Sequence, residues 1–344
     1  MRKLILRNWQ SPGDIVMLTA AVRDLHKKYP GEFLTDVRTP CEDLWENNPY
    51  LTPLDPKEKE VRTIECEYPL IDRSNSEPCH FLHGFIDFLN RRLRLRITLT
   101  EFRGDIHLSE LEKSWMSQVQ EITGEAVPFW IVNAGGKSDY TIKWWETARY
   151  QKVVDHFRGK ILFVQIGERG HHHPALRGVI DLRGKTDLRQ LVRLVYHAQG
   201  VLGPVSLPMH LAAAVAVPPW MPLNRPCVVI AGGREPPHWE AYPHHQFIHT
   251  VGALRCCDNG GCWKARTVPL GDGDQKDNPE SLCVDVVGAL PRCMDMVTAE
   301  EVIRRIEWYF TGGVVEYLTA EQRAVVDDVP LAGEPARIRV RAVS

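Results

Sequence analysis

Four stretches of this chain hold residue types whose spacing could do chemistry. Ser11-Pro12-Gly13-Asp14 falls between an apolar run and a helical pattern. Glycine admits close backbone approach there, and a helix start attracts negative charge. Asp14 is either a helix N-cap, which the spacing alone favours, or a general base directed into a cleft. Ala134-Gly135-Gly136-Lys137-Ser138-Asp139-Tyr140-Thr141-Ile142-Lys143-Trp144 places a glycine pair, hydroxyls and lysines before a helix. Backbone N–H groups with Ser138 or Thr141 and Lys143 could cradle a diphosphate; the alternative is a surface loop with solvated lysines. Gly203-Pro204-Val205-Ser206-Leu207-Pro208-Met209-His210-Leu211 opens a helix of small residues. Ser206 and His210 would face a cleft, although a lone histidine at such a place is more often packed and structural.

The fourth stretch is cysteine-rich. The chain has nine cysteines, and Cys256, Cys257, Cys262, Cys283 and Cys293 fall within one short segment. Four thiolates could close a tetrahedral site for zinc or a single iron. Free thiols or one redox disulfide are the alternatives. The poverty of apolar residues nearby favours the metal as a staple. Adjacent side chains diverge, so only one of Cys256 and Cys257 is expected to ligate, and Cys257 is preferred. A closed four-sulfur site has no open position, which makes it structural. His171-His172-His173 and the histidines between 238 and 249 read as polar loops. The chain carries no GxGxxG and no P-loop, which argues against a Rossmann dehydrogenase or an NTPase.

These stretches need elements to hold them. Residues 3–8, 128–136, 160–167, 200–204 and 226–233 read as buried strands. Helical spacing follows over 15–29, 144–157, 187–199 and 209–217, giving a βαβ rhythm. Further helices are expected over 78–92 and 109–123, and another after Thr298, where Glu301 completes a capping box. Residues 252–293 read as irregular, and the last thirty or so as weakly structured. The expected organisation is a first α/β domain over 1–126, a second over 127–297 with the cysteine insert at 252–293, and a closing helix and tail over 298–344. A length of 344 residues with 44% hydrophobic and 25% charged residues excludes disorder as the main state. A net charge of −2 argues against nucleic-acid coating, even with Lys264 and Arg266 in the insert. No apolar run reaches the ~18 residues of a membrane span, and the short apolar N-terminus is not followed by a cleavage site, so a cytoplasmic location is expected.

Taken together, GDIVMLTAAVRDLHKKYP, LWENNP, KSDYTIKWW and GPVSLPMHLAAAV resemble glycosyltransferase family 9, the ADP-heptose:lipopolysaccharide heptosyltransferases, over most of residues 3–310. The cysteine insert is similar to that of the iron-containing autotransporter heptosyltransferases, a branch that glycosylates protein. The resemblance implies a GT-B fold: an α/β protein of two Rossmann-like domains facing a cleft, with a C-terminal helix crossing back to the first. It implies inverting transfer from a nucleotide sugar, ADP-heptose above all, to a saccharide or protein hydroxyl, with no catalytic divalent metal. By the same resemblance Asp14 is the base and Lys143 the diphosphate lysine. Ser206, Met209 and His210 face the donor phosphates, Gln165 and Gly167 lie near the nucleotide, and Gly13, Ser138 and Thr141 complete the donor site. Where the family commonly has Asp-Thr-Gly before its His-Leu pair, this chain has Val205, Ser206 and Leu207, which leaves the donor sugar open. A GT-B transferase with another nucleotide sugar, or a non-catalytic nucleotide-sugar-binding protein, is the alternative.

Overall fold

A computed structural model describes residues 1–334. In chain order, β1 (Arg2–Arg7), α1 (Pro12–Lys28), β2 (Phe33–Arg38), β3 (Val61–Glu65), α2 (Leu82–Leu93), α3 (Glu110–Ser114) and α4 (Gln118–Thr123) form the first part. β4 (Phe129–Asn133), α5 (Thr147–His156), β5 (Leu162–Ile166), β6 (Ile180–Asp181), α6 (Leu188–His197), β7 (Gly200–Pro204), α7 (Leu207–Ala214), β8 (Cys227–Gly232), α8 (Pro237–Glu240) and β9 (His245–His249) follow. A hairpin of β10 (Val286–Val287) and β11 (Leu290–Pro291), then α9 (Arg292–Asp295), α10 (Ala299–Thr311) and α11 (Ala320–Asp327), complete the described chain.

Apart from the β10–β11 hairpin, the described strands form two separate parallel sheets, ordered β2-β1-β3 and β6-β5-β4-β7-β8-β9. Every residue of β4, β5, β7 and β8 is buried. Such strands, covered on both faces, read as the near-continuous apolar runs seen in the sequence. In each sheet the chain fills one side of a central strand and then crosses to the other. The reversal falls at β1 in the small sheet and between β4 and β7 in the large one. Crevices open beyond the carboxyl ends of strands at such switch points, and the loops carrying Asp14, Lys143 and Ser206 emerge there.

Several expectations change. The helix over 109–123 is two short helices. Ser109 caps the first, with a full capping box to Glu112, and Ser117 caps the second through the Gln120 amide. At Thr298 only half of the expected box forms: its side chain accepts from the Glu301 amide, while the Glu301 carboxylate is taken by Arg304 and Arg305. The closing helix α10 packs chiefly on α5 and β8. Tyr309 and Phe310 lie against Trp130 of β4 in the large sheet. The tail is more ordered than expected, with α11 capped reciprocally by Thr319 and Gln322; residues 335–344 lie outside the described part.

Buried Arg225 fixes the position of α7. Its guanidinium donates to the carbonyls of Tyr196, Ala198, Ala212, Val215 and Ala216. These are the orphan carbonyls at the ends of α6 and α7, where a cation also suits the helix dipole. Burial draws the Arg225 pKa down to about 10, which leaves it charged.

Candidate active site

Asp14 sits in the first turn of α1, whose N-cap is Ser11 with Pro12 behind it, so the capping reading of Asp14 fails. Its carboxylate accepts a short hydrogen bond from the Tyr68 hydroxyl. Burial pushes its pKa above the ordinary range, opposed by the Tyr68 bond and by the charges of Lys143 and Lys137. A carboxylate poised upward is better matched to taking a proton from a hydroxyl. Tyr68 is held by Phe81 and Phe85, whose ring centroids lie 4.7 and 5.2 Å away.

The facing wall comes from the large sheet. A Cβ on Gly13 would lie 3.0 Å from the His210 Cδ2, so glycine lets the start of α1 approach α7. His210 is buried, bonded through Nδ1 to the Tyr242 hydroxyl at 2.9 Å, and burial drives its pKa down to about 3. It is therefore a neutral, packed ring. Met209 is buried beside it. Ser206 Oγ accepts from the Asn133 amide at 3.1 Å and donates to the Pro204 carbonyl, joining the ends of β4 and β7. The parts are tied across the gap by Lys137 Nζ donating to Ser11 Oγ at 2.9 Å and by Phe81 stacked on Trp239 at 5.1 Å.

Lys143 extends to this gap. Its Nζ lies 2.7 Å from Glu235 Oε1 and 3.4 Å from the Val205 carbonyl, over the face of Tyr140. Arg234 pairs with the same Glu235 oxygen. Burial alone would raise the Glu235 pKa, but Lys143 and Arg234 hold it below the usual range. Glu240, also buried, is pushed well above the usual range by burial and by Glu235, despite Lys143 nearby. The two carboxyls are thus pushed apart, Glu235 downward and Glu240 upward, a separation of the kind found at functional sites.

Not every expected site residue comes here. The Thr141 hydroxyl is buried against Thr267 and accepts from the Thr267 amide, so it anchors the cysteine insert and is not free for phosphate. Gln165 is spent on the Pro174 carbonyl and the Leu176 amide, and so braces the 171–176 loop. A Cβ on Gly167 would lie 2.4 Å from the His173 ring, which closes that strand end. Ser138 is exposed at the rim. Tyr68, Glu235 and Glu240 were missed; a pair of glutamates shortly after the buried strand β8 was the available signal.

The cysteines of the insert are all free. Cys257 and Cys293 meet at the end of β8. A Cβ on Gly233 would be 3.1 Å from Cys257 Sγ, and one on Gly232 would be 3.3 Å from Cys293 Sγ. Burial, then Cys257, Cys262 and Cys283, raises the Cys256 pKa to about 11. Among the described residues no group of three or more His, Cys, Asp or Glu is arranged to hold a metal ion. The thiols turn to backbone carbonyls instead, Cys257 to Thr250 at 3.5 Å and Cys283 to Asp285 at 3.2 Å. Two of these soft donors, Cys257 and Cys293, nevertheless lie against Gly232 and Gly233, where a Cβ would crowd them.

Two parallel α/β sheets, with an acid at one switch point and a cation at the other, are the arrangement of a GT-B fold. Residues 109–254 of the chain match the family model described as glycosyltransferase family 9 (heptosyltransferase). Its fold is similar to a family 9 glycosyltransferase from Veillonella parvula DSM 2008 (14% identity, covering 89% of this chain and 96% of that one, TM-score 0.59). It is also similar to Escherichia coli ADP-heptose lipopolysaccharide heptosyltransferase II (14% identity, 91% and 100%, TM-score 0.59). A third similar structure is the iron-containing dodecameric glycosyltransferase TibC from enterotoxigenic E. coli H10407 (17% identity, 91% and 78%, TM-score 0.60). A search of curated protein sequences returns no match. Among the described residues no helix is long and apolar enough to cross a membrane.

If Asp14 is the base, Tyr68→Phe removes the donor that favours its carboxylate form. The acid limb of the pH–rate profile should then move to higher pH, with turnover at the acidic end down about ten-fold. Initial rates across pH for the two proteins check this; coincident limbs would separate Tyr68 from the chemistry.

Proposed function

We propose that this protein transfers heptose from ADP-heptose to a hydroxyl of a saccharide or protein acceptor, with inversion at the anomeric carbon. The observation that carries the reading is the placement of the Asp14 carboxylate and the Lys143 ammonium on opposite walls of one gap, near enough for the Lys143 charge to oppose the upward shift of Asp14. The acceptor hydroxyl gives its proton to Asp14 as its oxygen forms the new bond to the anomeric carbon. The bond to the diphosphate breaks on the far side, and the leaving group departs as an anion. Lys143 and the N-terminus of α7 stabilise that growing charge, which is the role a divalent cation plays in other transferases. Solved relatives of this fold include a TibC complex with ADP-D-β-D-heptose, which favours this donor. Another nucleotide sugar is the second reading, favoured by Val205 and Ser206 at the positions next to Lys143 and Asn133.

Calorimetric titration with ADP-heptose, UDP-glucose and GDP-mannose tests the donor. Micromolar binding of ADP-heptose alone is expected; tighter binding of another sugar nucleotide would replace it.

Four of Cys256, Cys257, Cys262, Cys283 and Cys293 would hold an iron or zinc ion, with Cys257 preferred over Cys256 because it is the buried member of the pair. The ion's contribution is to pin the insert. About one equivalent of iron or zinc should appear in elemental analysis of purified protein. Less than a tenth of an equivalent of both would remove the metal from this account.

A further inference from the structure

Glu235 uses only half of its carboxylate. Oε1 takes both Lys143 and Arg234, while Oε2 is buried and, among the described residues, has no hydrogen-bond partner. The side chain is 2% exposed. A buried charged oxygen left without a donor is costly and rare unless a ligand completes it. Nor is the group loosely held. The Arg234 guanidinium donates to the Lys264 carbonyl at 2.7 Å and lies between the rings of Tyr140 and Trp263, 5.2 and 5.1 Å from their centroids. The backbone on either side is fixed too: Cys262 N donates to the Gly233 carbonyl and Trp263 N to that of Arg234. The open oxygen therefore belongs to a rigid group beside the lysine assigned to the diphosphate, next to Val205 at the head of α7. A hydroxyl within reach of that lysine belongs to whatever the diphosphate carries.

Resting on the donor reading above, we propose that Glu235 is a further donor-site residue, whose Oε1 fixes Lys143 and whose Oε2 accepts a hydrogen bond from a hydroxyl of the transferred sugar. Neighbouring Glu240 has an unpartnered Oε2 as well, 3.7 Å from His210 Nε2. Burial and Glu235 push the Glu240 pKa well above the usual range, which makes Glu235 the stronger acceptor of the pair.

The role separates cleanly from simple support of Lys143. Glu235→Gln keeps the shape, releases Lys143 from its counter-charge and replaces a charged acceptor by a neutral amide. ADP, which lacks the sugar, should bind this variant as tightly as wild type or a few-fold tighter. ADP-heptose should bind about ten- to hundred-fold more weakly. Calorimetry with these two ligands on the full-length protein measures both. Equal losses for ADP and ADP-heptose would make Glu235 a mere support of the lysine, and no loss for either would leave it without a part in binding; each overturns the proposal while the donor reading stands. Wild-type protein that binds neither ligand would instead overturn the donor reading and this one with it. Should Glu235→Gln not fold, Glu235→Asp, which withdraws the oxygen by one methylene, carries the same comparison.

Discussion

Asp14→Asn should lower the turnover number by about 10²- to 10⁴-fold while donor affinity stays within about three-fold of wild type. The amide has the size of the carboxyl and can still accept from Tyr68, so the surroundings need not move. What disappears is the capacity to take the proton from the acceptor. A stability signature accompanies the loss. Burial raises the Asp14 pKa in the fold. A raised acid contributes stability that is present below its unfolded pKa and lost as pH climbs through the folded value, so ionised Asp14 burdens the protein near neutrality. Asp14→Asn should therefore melt at the same temperature or higher at pH 7, as expected when a functional group is held at the expense of stability. Steady-state kinetics, donor calorimetry and thermal unfolding measure the three quantities. Full turnover in this variant would dismiss Asp14 as the base.

Lys143→Ala should cost about 10²- to 10³-fold in turnover and raise the donor KM, because the charge that meets the departing diphosphate is removed before and during bond cleavage. Among the described residues the variant also leaves Glu235 with Arg234 as its remaining ion-pair partner, and breaking a buried pair from one side can cost roughly 3–5 kcal/mol. The double variant Lys143→Met with Glu235→Gln removes both charges and separates the effects. It should recover the melting temperature and not the turnover. Recovery of turnover would mean that Lys143 matters for the fold and not for the diphosphate.

Much of the scaffold was legible because strands buried on both faces leave apolar runs, and β4, β5, β7 and β8 are of that kind. β3 and β9 were not, since VRTIE and HQFIH carry polar and histidine residues at the sheet edges. The break between α3 and α4 follows from a second capping serine, Ser117, which competes with continuation of the first helix. At the site, Asp14 and Lys143 follow strands closely and lie in motifs, so the sequence exposes them. Thr141 and Gln165 occupy equally suggestive positions, yet their side chains are consumed by the insert and by a neighbouring loop. Such pairings depend on contacts across more than a hundred residues in the first case, which no local pattern records. Tyr68 escapes for the same reason, being 54 residues from the carboxylate it serves.

Residues 262–264 run alongside residues 233–234, bonded backbone to backbone and clasped by Arg234. A flap with hardly any apolar interior thus forms the outer side of the wedge that aims Lys143. Alkylation or oxidation of Cys262, half-buried in that flap, would slacken the hold on Lys143, and with it the diphosphate grip proposed above, from a distance. The proposed transfer would in this way be exposed to the thiol chemistry of its surroundings, through a part of the chain that takes no share in the reaction itself.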